Sequence, residues 1–241
     1  MKKIKRSSEL LWLLGIIFVA FGVMICSKAN LGVSMVAAPA FVISEWLSHF
    51  HPFFTVGVTE YLIQGIILIV LCLVLRRFNW RYLLAFAVAV IYGYTLDLFM
   101  FLFSGVAFEP IWLRWVMLIV GDLFTGIGVA CFFRTYMPLQ VYELFVSELS
   151  SGFKIDIKKV KQIFDYSLLV ISVTLALVLF LDVADFNWLS IGYNCFHSIG
   201  LGTIVTTIIN APIINGMGKI VDLLFEPTAL FPALENKLKI K

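Results

Sequence analysis

Few side chains in this chain are placed to do chemistry, and Asp122 stands out by its position. It lies eleven residues into an apolar run that begins at Ile111. On a helix that is roughly 16 Å deep, near the middle of a bilayer core of about 30 Å. An ionised aspartate there costs about 2.5–3.5 kcal/mol on insertion scales, so it must face other helices, be paired or carry a proton. Such a residue can bind a proton, a cation or a substrate reversibly; the plainer alternative is a protonated carboxyl hydrogen-bonded to a neighbouring helix. Asp97, in Tyr92-Gly93-Tyr94-Thr95-Leu96-Asp97, aligns at a spacing of 118 with Asn215, in Asn210-Ala211-Pro212-Ile213-Ile214-Asn215. With Asn210 they would add polar groups from the third helix of each half to the same pathway. A cap at a helix end is the other reading of Asp97.

Four further charges sit at helix ends. Lys28 with Glu60, and Arg134 with Asp165, could pair and brace the segments beside them, or act as gates that touch a transported anion. Lys28 could also snorkel to lipid headgroups. His49 and His51 supply only two ligands, and no nearby Cys or Asp completes a metal set, so no metal and no cofactor is expected. His197 reads as a packed residue at a helix start. The four cysteines, Cys26, Cys72, Cys131 and Cys195, lie in or against apolar runs and read as small packing residues. No phosphate-cradling glycine loop, zinc-protease motif or Gly-x-Ser-x-Gly turn is present. The chain is not expected to be an enzyme, to bind nucleic acid or to use ATP by itself.

The elements that must hold these residues follow from composition. Of 241 residues 61% are hydrophobic and 14% charged, far from soluble-domain usage. Apolar runs place six membrane helices at about 9–28, 55–75, 82–103, 112–133, 164–181 and 196–224. Sixteen of eighteen Lys and Arg fall at the start, around 76–81, in 134–161 and from 219 onward; only Lys28 and Arg114 lie elsewhere. The positive-inside rule then puts both termini in the cytoplasm. Glu45, Glu109, Asp182 and Asp185 occupy the opposite loops. The basic start and following apolar run read as a retained first helix, because no small-x-small cleavage site follows. Trp12, Trp46, Trp80, Trp112, Trp115 and Trp188 near helix ends read as interfacial anchors.

A repeat organises the six helices. Gly15, Gly22, Val23 and Lys28 recur 106 positions later as Gly121, Gly128, Val129 and Arg134, and Glu60-Tyr61 recurs at 105 as Asp165-Tyr166. Three helices per copy is an odd number, so the halves 1–108 and 109–241 form a 3+3 inverted-topology repeat of an all-α integral membrane fold. The glycines, seven apart, form faces for close helix packing. After the first and fourth helices come short apolar segments that are re-entrant or interfacial: Asn30 to Phe50, with Asn30, Gly32 and Ser34, and Met137 to Gly152, with Pro138, Gln140 and Glu143. The last helix is expected to break near Asn210-Ala211-Pro212 and Asn215-Gly216-Met217-Gly218.

At Lys28-Ala29-Asn30-Leu31-Gly32-Val33-Ser34 and Gly200-Leu201-Gly202-Thr203 the chain resembles the YczE/YyaS/YitT-like bacterial membrane proteins. Met35 follows Ser34 where that family tends to place Pro, and Arg134-Thr135-Tyr136-Met137-Pro138 is a looser second copy. The resemblance implies a multipass protein of the bacterial cytoplasmic membrane, described in that family as a permease or left without a function. It supplies no substrate.

The expected function is a gradient-driven small-solute permease or exporter working by alternating access, with Asp122 central and Lys28 and Arg134 at the two entrances. The alternative is a non-transporting accessory or regulatory protein that binds another membrane component. Membrane lipids and a small solute are the expected partners, and a pore would need a homo-oligomer.

Overall fold

The computed structural model describes residues 4–180 and 195–230. Asp182, Asp185, Trp188 and the basic residues beyond 230 lie outside the described residues. Among those described, eight helices form: α1 (Ser8–Ala29), α2 (Ala38–Ser48), α3 (Val56–Leu75), α4 (Arg81–Leu102), α5 (Ile111–Phe132), α6 (Val141–Phe153), α7 (Ile157–Leu179) and α8 (Leu201–Leu224). Six of them, all but α2 and α6, are long and apolar enough to cross a membrane. Six such helices make a multipass membrane protein. A four-residue parallel strand pair, β1 (Ile4–Ser7) with β2 (Phe225–Thr228), ties the start of α1 to the end of α8.

Helix starts are set by local chemistry. Ser7 and Thr55 accept from Leu10 N and Val58 N at the starts of α1 and α3, satisfying backbone donors that the first turn leaves open. Asp156 does the same for Lys158 N, so α7 begins seven residues before the expected 164. The polar Lys158, Lys159, Lys161 and Gln162 of its first turns hide that start from an apolar count. The expected break in α8 does not occur, for the helix runs unbroken through Pro212 and Gly216. Both face the exposed side, where the proline ring meets no packed neighbour; membrane helices tolerate such residues.

The centre is the crossing of α1 and α5. A Cβ placed on Gly128 would stand 2.6 Å from Gly15 O, and one on Gly121 would stand 2.7 Å from Gly22 O. Gly15 thus meets Gly128 and Gly22 meets Gly121, so the two helices run antiparallel with their backbones touching. Glycine makes this approach possible because any side chain would fill it. A second close crossing joins α3 to α4, where a Cβ on Gly93 would stand 2.6 Å from Gly57 O. Outside the α1–α5 centre, α4 packs on α1 and α8 on α5.

The short helices occupy matching places, each wedged between α3 and α7. At 11 and 13 residues they are about 16 and 20 Å long, too short to span a bilayer core. The first half of α2 is buried on every side, from Ala38 to Val42. Ala37 and Ala38 pack in one cluster with Val19, Val23 and Tyr92, midway along α1 and α4. The first half of α2 is thus packed inside the bundle, where an amphipathic helix lying on a surface would keep one face wet.

The ends of the bundle differ in charge. Arg76, Arg77, Arg81, Arg134, Lys154, Lys158, Lys159, Lys161 and Lys219 gather at the end that holds Ser8, and Lys28 and Arg114 lie at the other. These are called the basic end and the opposite end below.

Candidate functional site

A cavity of 1260 Å³ opens at the basic end. The start of α4 (Arg81, Tyr82), the α5–α6 connection (Arg134 to Leu139) and α6 (Ser147, Glu148) line it. Its polar wall is organised by ion pairs. Glu148 accepts from Arg77 Nη2 at 2.7 Å and from the Tyr82 hydroxyl at 2.8 Å, joining α6 to the α3–α4 connection and to the start of α4. Arg134 donates from Nε and Nη2 to both oxygens of Asp222, each at 2.6 Å, joining α5 to α8. Trp12 Nε1 donates to Pro138 O at 3.0 Å and fixes the connection against α1. Trp12 is therefore a brace within the protein rather than the lipid anchor its position predicts. The Tyr136 hydroxyl, on the same connection, bonds Glu9. The cavity reaches Pro138 and Leu139, beside the first turn of α6.

Behind that turn lies a buried polar cluster in an otherwise apolar wall. Glu60 and Gln64 of α3 are 1% and 0% exposed, Tyr92 of α4 is 2% and Tyr142 of α6 is 5%. Glu143 of α6 stands between them and the Lys161–Asp165 pair of α7. Gln64 Nε2 donates to Glu60 Oε1 at 3.5 Å, and Lys161 Nζ lies 3.2 Å from Asp165 Oδ2. The Tyr142 hydroxyl is turned toward Glu60, yet no hydrogen bond closes between them. Glu60 Oε2, Gln64 Oε1, Tyr142 Oη and Glu143 Oε2 are buried without a hydrogen-bond partner among the described residues. Buried polar atoms are nearly always paired, because each unpaired one costs about 1–3 kcal/mol. Four such atoms fall within this one cluster.

Asp122 is buried in a separate seam. It is 1% exposed, with Oδ2 unpartnered. Around it α5 and α8 run parallel: Leu118 touches Gly202 and Gly126 touches Ile213. Asp122 is thus level with Thr206 and Asn210, both buried, the latter with Oδ1 unpartnered. On the α1 side its neighbour is Cys26, whose thiol donates to Leu118 O at 3.6 Å.

The other expected site residues are redistributed. Lys28 does not meet Glu60; its amine donates to Ser104 O at 3.2 Å. Glu60 is drawn inward because it lies on the face of α3 that meets α6. Likewise Arg134 pairs with Asp222, and Asp165 with Lys161 one turn away on its own helix. Asp97 takes the cap reading: Oδ1 accepts from Gly57 N at 2.8 Å and Oδ2 from the Thr55 hydroxyl at 2.6 Å, at the start of α3. Asn215 is exposed on the outer face of α8, apart from Asp97 and Asp122. In the second short segment Gln140 is buried at the start of α6.

The two motifs that carry the family resemblance meet in space. Gly202 N donates to Leu31 O at 2.7 Å and Val33 N to Ser198 O at 2.9 Å. Gly32 holds φ at 109°, a conformation open to glycine, with Thr203 and Gly200 against its Cα. Asn30 ends α1 in the left-handed conformation and accepts from the Cys195 thiol at 2.6 Å. Ser34 is buried at the turn into α2. His197 bonds Glu45 at 2.8 Å and stacks on Phe180, closing α2 over the approach to α8.

Sequence reading missed Gln64, Tyr92, Tyr142 and Lys161. One signal was present: Gln64 stands one turn after Glu60 in a helix otherwise rich in Ile, Leu and Val, and polar residues one turn apart share a face. No curated protein and no solved structure matches the chain. Over residues 4–219 it matches a family of unknown function, DUF6198, and it belongs to that family.

Proposed function

We propose that the protein is a gradient-driven small-solute permease or exporter that works by alternating access. The observation that carries this reading is the 1260 Å³ cavity, open at the basic end and ending beside buried unpartnered polar groups. A vestibule leading to desolvated polar atoms is what a transporter needs in one of its two states. The basic end faces the cytoplasm by the positive-inside rule, so the cavity belongs to an inward-open form. Both described termini then lie on the cytoplasmic side of a bacterial cytoplasmic membrane.

The two halves rock as inverted repeats about the glycine crossing. Support comes from the reciprocal contacts there: Gly15 meets the counterpart of Gly22, and Gly22 meets the counterpart of Gly15. That reciprocity is the mark of a two-fold axis between the copies. The matching seats of α2 and α6 between α3 and α7 support the same axis. Resemblance to the YczE/YyaS/YitT-like proteins, some of them described as permeases, agrees with this reading. Asp122 is held as a solute or ion contact between the halves.

The test is transport by purified protein in liposomes, read against a panel of charged and neutral metabolites under imposed proton and sodium gradients. Wild type should move at least one solute, and Asp122→Asn should cut that rate at least tenfold. In parallel, Ser147→Cys at the cavity wall should react with a membrane-impermeant thiol reagent from the cytoplasmic side, and more slowly once that solute is saturating. If no solute moves and Ser147→Cys labels at one fixed rate, the transport reading is wrong and an accessory role takes its place.

A further inference from the structure

The buried cluster behind α6 forms a ladder when its members are placed along their own helices. Counted from the basic end, Lys161, Asp165, Glu143, Gln64 and Glu60 stand at roughly 6, 12, 15, 17 and 22 Å at 1.5 Å per residue. Each rung is about 6 Å or less from the next along the helix axes. The lowest rung is partly exposed, the Lys161 side chain at 26%, and Asp165, Gln64 and Glu60 above it are buried. The top rung is four residues from the start of α3 at the opposite end. Polar atoms thus cross most of the protein's thickness in a wall that is otherwise mostly Ile, Leu, Val and Phe.

What the ladder lacks is hydrogen. Glu60 Oε2, Gln64 Oε1 and Glu143 Oε2 are all acceptors, and each is unpartnered, as is the Tyr142 hydroxyl beside them. A proton on Glu60 or Glu143 turns an orphaned acceptor into a donor and removes a buried negative charge at the same time. Among the described residues, Lys161 faces two of the three carboxylates, Glu143 and Asp165, and it is already held by Asp165. Neither the cavity at the basic end nor the 620 Å³ apolar groove between α3 and α7 is lined by any of these residues. No opening for an organic cation is therefore provided by either. Among the described residues, no three His, Cys, Asp or Glu side chains are grouped as ligands of a metal ion.

We propose that this ladder is a proton path, and that the proton is the ion whose gradient drives the cycle proposed above; the coupling, though not the path, rests on that reading. In the inward-open form a proton on Glu60 passes through the Tyr142 hydroxyl, which accepts one proton and releases another, to Glu143 and on to Asp165. Asp165 gives it up to the cytoplasmic side while Lys161 keeps the vacated carboxylate charge-balanced; acidifying that side runs the same steps backwards and loads Glu60. Gln64 is a positioning residue that holds Glu60 by its amide. The groups facing Glu60 and Glu143 are Tyr92 from α4, Tyr142 from α6, and Lys161 and Asp165 from α7. From α2 no titratable side chain reaches the ladder, since its Glu45 is turned to His197.

The experiment needs no solute. Purified full-length protein in nanodiscs is stepped in pH while infrared difference spectra follow the C=O stretch of protonated carboxyls, in H₂O and D₂O. Wild type should show bands that grow as pH falls and move down in D₂O. Uniform ¹³C-glutamate labelling should shift the Glu bands without any substitution, so the result survives a variant that fails to fold. Glu60→Gln and Glu143→Gln should each remove one of them, and Gln64→Leu should move the Glu60 band without removing it. Asp122→Asn should leave all of these in place. Bands that ignore the label, or that are unchanged in both Gln variants, overturn the proton path. Bands that respond to NaCl at fixed pH in place of acid overturn it in favour of a sodium site. If the bands behave as expected and no panel solute moves in liposomes, the proton path stands and the transport reading falls. If a solute moves but the bands do not titrate, the proton path falls alone.

Discussion

The glycine crossing at the centre makes a graded prediction, because the same contact is tighter from one side than from the other. A Cβ on Gly128 would stand 2.6 Å from both Gly15 O and Val19 Cγ2, whereas a Cβ on Gly15 would stand 3.1 Å from Gly128 O and from Phe132. Ordinary contact begins near 3.4 Å, so Gly128→Ala forces α1 and α5 apart by about 0.8 Å, against about 0.3 Å for Gly15→Ala. The obstacle for Gly128 includes backbone, which cannot rotate away; for Gly15 it includes the ring of Phe132, which can yield. Overpacking in a tight core costs about 1–3 kcal/mol. Gly128→Ala should sit at the top of that range and Gly15→Ala at or below its bottom. At about 2–4 °C per kcal/mol for a chain of this length, Gly128→Ala should lower the midpoint of thermal unfolding in detergent by about 5–10 °C, and Gly15→Ala by no more than about 3 °C. Gly216→Ala is the control, since nothing lies within 4 Å of its Cβ position. Its midpoint should hold or rise slightly, as alanine favours the helix by up to about 1 kcal/mol. The reasoning fails if Gly128→Ala melts with wild type, or if Gly216→Ala falls as far as Gly128→Ala.

Two further outcomes follow from the ion pairs and caps. Asp97→Ala removes both hydrogen bonds that hold the start of α3, and should cost about 1–2 kcal/mol of stability while leaving any transport rate within twofold; a tenfold loss of rate at unchanged stability would return Asp97 to the pathway. Arg134→Gln, Asp222→Asn and the double variant form a cycle for a two-pronged pair in which Asp222 is 58% exposed. Solvent screening should hold the coupling to about 0.5–1 kcal/mol and salt should reduce it, whereas a value insensitive to salt would mean that the pair is shielded by further structure.

Helix number, length and approximate position were legible because a bilayer-spanning segment advertises itself by apolar length, and α1, α3, α4 and α5 lie within a residue or so of expectation. The short helices were legible as interruptions for the same reason. What the sequence concealed was rotation. Glu60 and Lys28 both occur near the opposite end, but which face of α3 carries Glu60 depends on where α6 inserts, and α6 arrives from the other half of the chain. Asp97 stayed open between pathway and cap for a related cause: an acid near a helix end caps a neighbouring helix only if that neighbour starts beside it, and Gly57 against Gly93 is what brings α3 so close. Tyr142 and Gln64 were invisible as site residues because their significance lies in unpartnered atoms, which only packing defines.

In the inverted arrangement proposed above, the ladder has a simple origin. Glu60 and Asp165 are repeat counterparts, each set one to two turns into the second long helix of its half. Inversion sends these helices in from opposite ends, so a single ancestral acid yields one carboxylate near each end of the same wall. A proton cannot bridge the roughly 10 Å between them unaided, and repeat symmetry alone provides nothing in the gap. Glu143 fills it, and its counterpart at the spacing of 106 is Ala37. Asp122 is asymmetric in the same way, facing Ile16 as its counterpart. The second half therefore adds two acids to a scaffold that the first half only mirrors. Restoring the symmetry with Glu143→Ala should disconnect the two ends: the Glu60 infrared band should stop responding to a pH step within the time it needs in wild type, while Asp165 continues to respond. A Glu60 band that keeps its wild-type rate in Glu143→Ala would show that protons reach Glu60 from the opposite end without Glu143, and the path through Glu143 would be wrong.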